Sequence, residues 1–255
     1  MSADVGVVVP AYRPDVDALR AYVDAVHEAV APAVLRVELD APAPDVAEAV
    51  RSLDADVHIS ETRRGKGQAI TDGFEALDTA VLAFADADGS TAAHSLGAVV
   101  DAVRDGADLA VGSRRHPDAT VDGHQSFVRR RFGDGFARLA RVGLDVDVYD
   151  FQCGAKALTA ETWSLVRSHL YESGFAWDFE LLAVANTLGC SIAEVPVEWQ
   201  DHPDSTVPPL RTTLSFVRAL GAVRHRTAAM RGEGWHSRLV ADRTPLVEDD
   251  DPSGG

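Results

Sequence analysis

Val81-Leu-Ala-Phe-Ala-Asp-Ala-Asp-Gly-Ser-Thr91 is the stretch on which the fold turns. Its first five residues are apolar without alternation, the pattern of a strand buried on both faces. The run stops at two carboxylates, Asp86 and Asp88, followed by Gly89 and the helix-capping types Ser90 and Thr91. Residues two apart on an extended chain point the same way, so both acids share one side. Close carboxylates repel, and a divalent cation such as Mg²⁺ or Mn²⁺ relieves the repulsion. Open α/β sheets bind ligands at the carboxyl ends of their strands, and a cation held there suits a diphosphate. Taken alone, the stretch also fits a plain turn with two solvated acids.

Working outward, residues 5–12 form a strand that runs into a loop, because Pro10 has no amide hydrogen for a ladder. A helical pattern covers 15–30, and a second strand over 33–39 ends at Asp40. Asp45 is placed to cap a helix reaching Leu53, and 57–60 make a short third strand. No G-x-G-x-x-G follows the first strand, so a dinucleotide fingerprint is absent. Next comes Glu61-Thr-Arg-Arg-Gly-Lys-Gly-Gln68, ahead of a helix through Ala76. Its glycines let the backbone approach a ligand, and Lys66 brings a point charge for phosphate or carboxylate. Its place at a helix N-terminus favours that over a bare surface turn.

Beyond Asp88 a helix runs through Arg104, and a strand over 107–111 leads into Gly112-Ser-Arg-Arg-His116. Such alternation implies a doubly wound, mostly parallel sheet. A helix over 126–142 opens with Arg129, Arg130 and Arg131. Asp150-Phe-Gln-Cys-Gly-Ala-Lys156 then interrupts the pattern, and Thr159 opens a helix to His169. Residues 174–180 lead into a helix over 181–188. Residues 192–199 read as a strand whose Pro196 argues for a sheet edge.

Forty acidic residues against 24 basic ones give a formal net charge of -16, which argues against nucleic acid as a partner. Only Lys66 and Lys156 are lysines; the other 22 basic residues are arginine. That balance suits a halophilic cytoplasm, where the Debye length falls to ~3 Å in molar salt. No stretch has the ~18 consecutive apolar residues of a membrane span, and no signal peptide is expected. Cys153 and Cys190 lack metal-ligand spacing and read as buried thiols of a reducing compartment.

Seven motifs stand in an order that resembles a known family. They are V-V-V-P-A-Y (7–12), R-G-K-G-Q-A (64–69), F-A-D-A-D-G (84–89), G-S-R (112–114), D-F-Q-C-G-A-K (150–156), W-D-F-E-L-L (177–182) and E-V-P-V-E-W (194–199). The chain resembles inverting family 2 glycosyltransferases of the GT-A fold that charge polyprenyl phosphates, the dolichyl-phosphate glucose and mannose synthases. The Q-C-G-x-K form is similar to the glucosyl branch. The resemblance implies an α/β fold of GT-A type, a Rossmann-like, mostly parallel sheet flanked by helices. It spans residues 1–206, with an amphipathic, membrane-interfacial helix region over 207–240 and a disordered tail over 241–255. Two departures stand out: Arg13 and Pro14 replace the family's N-E after P-A-Y, and Glu38-Leu-Asp-Ala-Pro42 replaces its D-D-G-S. Both motifs face the nucleotide, so the choice between a UDP- and a GDP-hexose stays open.

Carried onto this sequence, the resemblance places Pro10, Ala11, Tyr12, Asp40, Lys66, Asp86, Gln152, Asp178 and Glu180 around the nucleotide sugar. It puts Mg²⁺ or Mn²⁺ on Asp86 and Asp88, and Arg114 with Arg129 and Arg131 on the acceptor phosphate. Asp88, Asp150 and Arg114 become the catalytic set. For Asp150 a turn-initiating acid is the plain alternative, and for the arginines a solvated face. A phosphate acceptor is already anionic, so inverting transfer needs no general base. Trp177 and Trp199 read as packing aromatics. Residues 207–231 carry Leu210, Leu214, Val217 and Leu220 at helical spacing among five arginines, with no acid between Asp204 and Glu233. Such a helix suits the membrane interface where a lipid acceptor lives, on the cytoplasmic, inner face of the cell membrane; a helix packed on the sheet with a basic outer face fits as well. An alcohol acceptor on the same fold, or a nucleotide-sugar-binding subunit without turnover, stays open.

Overall fold

The computed structural model describes residues 3–122, 141, 143–200, 209–232 and 244–247, with the backbone alone over 209–216. Its strands are β1 (Val5–Tyr12), β2 (Val34–Asp40), β3 (Asp56–Ser60), β4 (Val81–Ala85), β5 (Leu109–Ser113), β6 (Thr120–Asp122), β7 (Ala155–Thr159), β8 (Ile192–Pro196) and β9 (Glu198–Gln200). The helices are α1 (Val16–Val30), α2 (Pro44–Arg51), α3 (Lys66–Glu75), α4 (Ala93–Arg104), α5 (Ala160–Val166), α6 (Trp177–Thr187) and α7 (Pro209–Met230). One sheet runs β3-β2-β1-β4-β7-β5-β8, and β6 pairs with β9 beside it. Its pairings are parallel except at β7, which is antiparallel to both β4 and β5.

Both faces of the sheet are covered, which is why β4 reads as a continuous apolar run. Val81, Ala83 and Ala85 share a core with Val5, Val7 and Val9 of β1 and with α1 and α4. Leu82 and Phe84, pointing the other way, join Val8 and residues of α3, α5 and α6. Burying each of these larger side chains contributes roughly 1.5–3 kcal/mol.

Several local expectations differ from what forms. The stretch 150–156 is not only an interruption: β7 begins at Ala155 and fills the middle of the sheet. Lys156 conceals it, a lysine in mid-sheet that is nevertheless fully buried. Asp45 does not cap α2; Ala43 is the N-cap and Pro44 opens the helix, its missing amide costing nothing there. Ser90 and Thr91 do not cap α4, whose N-cap is Ala92. α6 starts at Trp177, so Asp178 and Glu180 lie in its first turn, favoured by the helix dipole. Pro196 does close β8 at the sheet edge. Arg129, Arg130 and Arg131, with nearly all of the helix expected over 126–142, lie outside the described residues.

α7 lies against α6, burying Ala219, Leu220, Val223 and Ala228, while Val217 stays 46% exposed. One face of its second half is therefore packed on the protein. Among the described residues no helix is long and apolar enough to cross a membrane.

Candidate active site

The carboxyl ends of β1, β2 and β4 carry a dense set of charges, and one buried acid organises much of it. Asp178 accepts Lys156 Nζ at 2.7 Å on Oδ1 and lies 3.0 Å from Lys66 Nζ on Oδ2. The only two lysines of the chain thus meet on one carboxylate that is 2% exposed. Burial pushes the Asp178 carboxyl up, but Lys156 and Lys66 outweigh it and hold the acid below its ordinary value. Lys66 also lies 2.9 Å from Asp86 Oδ1. Burial works against its charge, yet Asp178 and Asp86 keep the ammonium above its usual value.

Asp86 and Asp88 follow directly from the end of β4. Asp88 is exposed, and its Oδ1 accepts the Ser90 amide at 2.9 Å. Asp86 is held by its own amide, which donates to Gly154 O at 2.9 Å, and Gly154 leaves room that a β-carbon would take from the Asp86 carboxylate. No group of three or more His, Cys, Asp or Glu among the described residues could hold a metal. Two hard, partly exposed carboxylates nevertheless fit Mg²⁺ or Mn²⁺, which take one or two carboxylates and fill the remaining positions with substrate phosphate and water. Tyr22 lies beneath this turn, its ring 3.3 Å from where a β-carbon on Gly89 would stand, and its buried hydroxyl has no partner among the described residues.

A second constellation is built on Asp150. Arg114 grips it in bidentate fashion, Nε to Oδ2 at 2.6 Å and Nη2 to Oδ1 at 2.8 Å, while the Arg114 amide donates to Oδ2 at 3.1 Å. Glu194 fixes the turn from below by accepting the amides of Tyr149 and Asp150 at 2.9 and 3.0 Å. Burial raises the Asp150 carboxyl, Arg114 overcomes it, and the value falls to about 2. Asp150 is 2% exposed, so its visible work is to hold Arg114, whose guanidinium also lies 5.7 Å from the centre of the Trp199 ring. Gln152 sits beside it, its amide donating to Asp150 Oδ1 at 3.2 Å. Arg114 feels the charge of Asp86, which brings the two constellations within electrostatic reach.

The remaining expected residues divide. Pro10, Ala11 and Tyr12 end β1, and Arg63 and Arg13 lie 4.1 and 5.2 Å from the centre of the half-exposed Tyr12 ring. Asp40 is 3% exposed and already occupied: it accepts the amides of Arg64 and Gly65 at 2.8 and 3.1 Å and Arg64 Nε at 2.8 Å. It clamps the G-K-G loop. Glu180 is engaged elsewhere. It is fully buried, and its Oε2 accepts the Tyr171 and Glu172 amides while Arg226 pairs with Oε1. Burial keeps its carboxyl above the usual value despite Arg226. Trp177 is fully buried, edge-on to Phe84 at 5.6 Å, with Nε1 donating to Thr71 at 3.1 Å.

Four contributors escaped the sequence reading. Arg64 joins Asp40, Glu38 and Asp72, and Glu38 is buried under Arg64, Arg36 and His58. Their shared side on β2 follows from the i, i+2 spacing of Glu38 and Asp40. Gly154 lies inside the D-F-Q-C-G-A-K motif, but its role depends on Asp86 being across from it. Arg226 gave no signal beyond the basic run it belongs to.

A family model described as Glycosyl transferase family 2 matches residues 7–153. The chain is 32% identical over 227 residues to Glycosyltransferase AglD of Haloferax volcanii, covering 84% of this chain and 36% of that protein. It is 29% identical over 168 residues to Dolichyl-phosphate beta-glucosyltransferase of Dictyostelium discoideum, covering 64% of this chain and 51% of that one. The chain therefore spans about half the length of these curated relatives, or less. Among solved structures, glucosyl-3-phosphoglycerate synthase from Mycobacterium tuberculosis, in complex with Mn²⁺, uridine diphosphate and phosphoglyceric acid, superposes with a TM-score of 0.65. That match covers 90% of this chain and 79% of the other at 20% identity, and it bears on the fold alone, a GT-A sheet flanked by helices. The matched segment runs from β1 to the loop before β7 and takes in Lys66, Asp86, Asp88, Arg114 and Asp150, so the chain belongs to glycosyl transferase family 2.

Proposed function

We propose that the chain transfers a hexose from a nucleotide sugar, UDP-glucose by preference, to dolichyl or another polyprenyl phosphate, with inversion at the anomeric carbon. One observation carries this reading: Lys66 lies 2.9 Å from Asp86, Arg114 stands within electrostatic reach of it, and each cation is oriented by a buried acid. Such an arrangement suits two phosphate groups, one on the donor and one on the acceptor. The names of the relatives, AglD and dolichyl-phosphate beta-glucosyltransferase, support a lipid-phosphate acceptor and glucose.

In this reading Lys66, kept charged by Asp178, binds the donor diphosphate. Asp86 and Asp88 would hold Mg²⁺ or Mn²⁺, which when bound would supply positive charge to the departing diphosphate. Arg114, its plane locked by Asp150, holds the acceptor phosphate with one of its oxygens in line with the anomeric carbon. That oxygen attacks; the bond from the anomeric carbon to the diphosphate oxygen breaks, and its electron pair leaves with the nucleoside diphosphate. The attacking oxygen carries no proton, so no side chain is asked to remove one. Asp150 acts through Arg114, and Tyr12 with its flanking arginines forms a wall for the nucleotide. The lipid acceptor puts the chain on a membrane surface, at the cytoplasmic face where nucleotide sugars are supplied.

Labelled UDP-glucose and GDP-mannose, each incubated with dolichyl phosphate and Mg²⁺ or Mn²⁺, test the reading. The expected result is an organic-extractable, mild-acid-labile product from UDP-glucose, lost in Asp88→Ala and in Arg114→Ala. Sugar transfer to water-soluble acceptors alone would overturn the lipid acceptor. Absence of turnover with any donor, alongside retained nucleotide binding, would favour a non-catalytic subunit.

A further inference from the structure

We propose that Arg226 of α7 is a positioning residue for Lys66, acting through the loop over 171–174. The inference rests on Lys66 being the donor-diphosphate ligand. Lys66 stands between two glycines pressed against that loop. A β-carbon on Gly65 would come within 2.6 Å of Ser173 O, and one on Gly67 within 2.5 Å of Glu172 O. Gly65 also has φ +101°, a backbone conformation that L side chains rarely adopt. The Gln68 amide donates to Ser173 O at 3.1 Å. The loop is therefore the wall that sets the height of the G-K-G turn, and with it the reach of Lys66 to Asp86 and Asp178.

The wall is in turn set from behind. The amides of Tyr171 and Glu172 both donate to Glu180 Oε2, at 2.9 and 2.7 Å. Arg226 Nη2 pairs with the other oxygen of Glu180 and reaches Glu172 Oε1 at 3.1 Å, and its guanidinium lies 4.9 Å from the centre of the Tyr171 ring. One side chain from α7 thus grips the acid that anchors the loop and two residues of the loop itself. Its side chain is 11% exposed, and its Nε has no partner among the described residues. A buried donor left unpaired is a poor way to gain stability alone, since a well-packed apolar group would serve as well or better. Arg226 lies beyond the segment that the family model matches, so in this proposal α7 acts on the site from outside that segment.

Calorimetric titration of UDP, and of GDP, with Mn²⁺ into the 255-residue chain tests this, below the unfolding temperature of every variant. For the nucleotide that the wild type binds, Arg226→Ala is expected to weaken binding about 10- to 100-fold, the scale of an ångström-sized misplacement of a binding group. Arg226→Lys should lie between Arg226→Ala and wild type, and Glu172→Gln should weaken binding in the same direction. Arg224→Ala, on the exposed side of the same helix, should leave it unchanged. In turnover, KM for the donor should rise while KM for the lipid phosphate stays put. Folded Arg226 variants that lose thermal stability yet bind as the wild type does would overturn the inference and leave the proposed function standing. If Arg226→Ala does not fold, Arg226→Lys and Glu172→Gln decide it by the same measure. Wild-type chain that takes up neither nucleotide would overturn the proposed function, and this inference with it.

Discussion

Gly154 has no side chain because Asp86 occupies the space where one would stand: a β-carbon there would overlap the Asp86 carboxylate. Its φ lies outside the left-handed region, so alanine brings no backbone strain and the displaced acid is the main consequence. Gly154→Ala is expected to cut transfer about 100-fold and to cost about 1–3 kcal/mol of stability, read by labelled-sugar transfer and urea denaturation. Asp150 yields a pH prediction. Its carboxyl is lowered from 3.8 to about 2 in the folded chain, Arg114 prevailing over burial. An acid depressed by folding stabilises fully above its unfolded value and loses that contribution as pH falls through the folded one. The contribution is on the order of 2 kcal/mol. Wild type and Asp150→Asn should therefore differ fully in urea midpoint at pH 6, and the gap should close between about pH 4 and pH 2. A gap that stays constant over that range would sink the assignment.

At the scale of elements, β1 and β4 were legible because burial on both faces leaves an apolar run, and β2 because Leu35, Val37 and Leu39 alternate with Arg36 and Glu38; the loops after them carry the charges. β7 was not legible. Lys156 interrupts its run, and only the distant Asp178, on a helix not yet placed, makes a lysine acceptable in mid-sheet. The surroundings of Glu180 were not legible for the same reason, since its partners come from α7 and from the 171–172 amides. An acid in the first turn of a helix says nothing by itself about which way it faces. α7 itself is half answered. Its residues 219–228 are engaged with the protein, while Val217 and Arg218 face outward. If the outer side of this helix meets an anionic bilayer, Val217→Asp with Arg218→Glu should lower co-flotation with phosphatidylserine vesicles severalfold, each lost basic residue being worth about 1 kcal/mol. The far-ultraviolet spectrum should stay unchanged. Equal flotation would leave α7 with its packing role alone.

For the whole molecule, the charge is unevenly spent. Net charge is -16, yet the cations of the site are partly buried and paired with the buried acids Asp150 and Asp178, where added salt reaches them less than it reaches surface charges. Forty acids against 24 basic residues leave a surplus of negative charge, and its self-repulsion destabilises the compact state. Raising KCl from about 0.1 M to about 1 M shortens the screening length from ~10 Å to ~3 Å. The repulsion should fade while the Arg114–Asp150 and Lys66–Asp178 pairs keep their strength. Thermal midpoint should therefore rise with KCl and equally with NaCl. The stability difference between wild type and Asp150→Asn at pH 7 should stay nearly constant across the series. Matched ionic strengths of the two chlorides separate screening from the binding of a particular cation. A midpoint that falls as chloride salt is added would show that exposed ion pairs, and not the surplus of acids, dominate the surface.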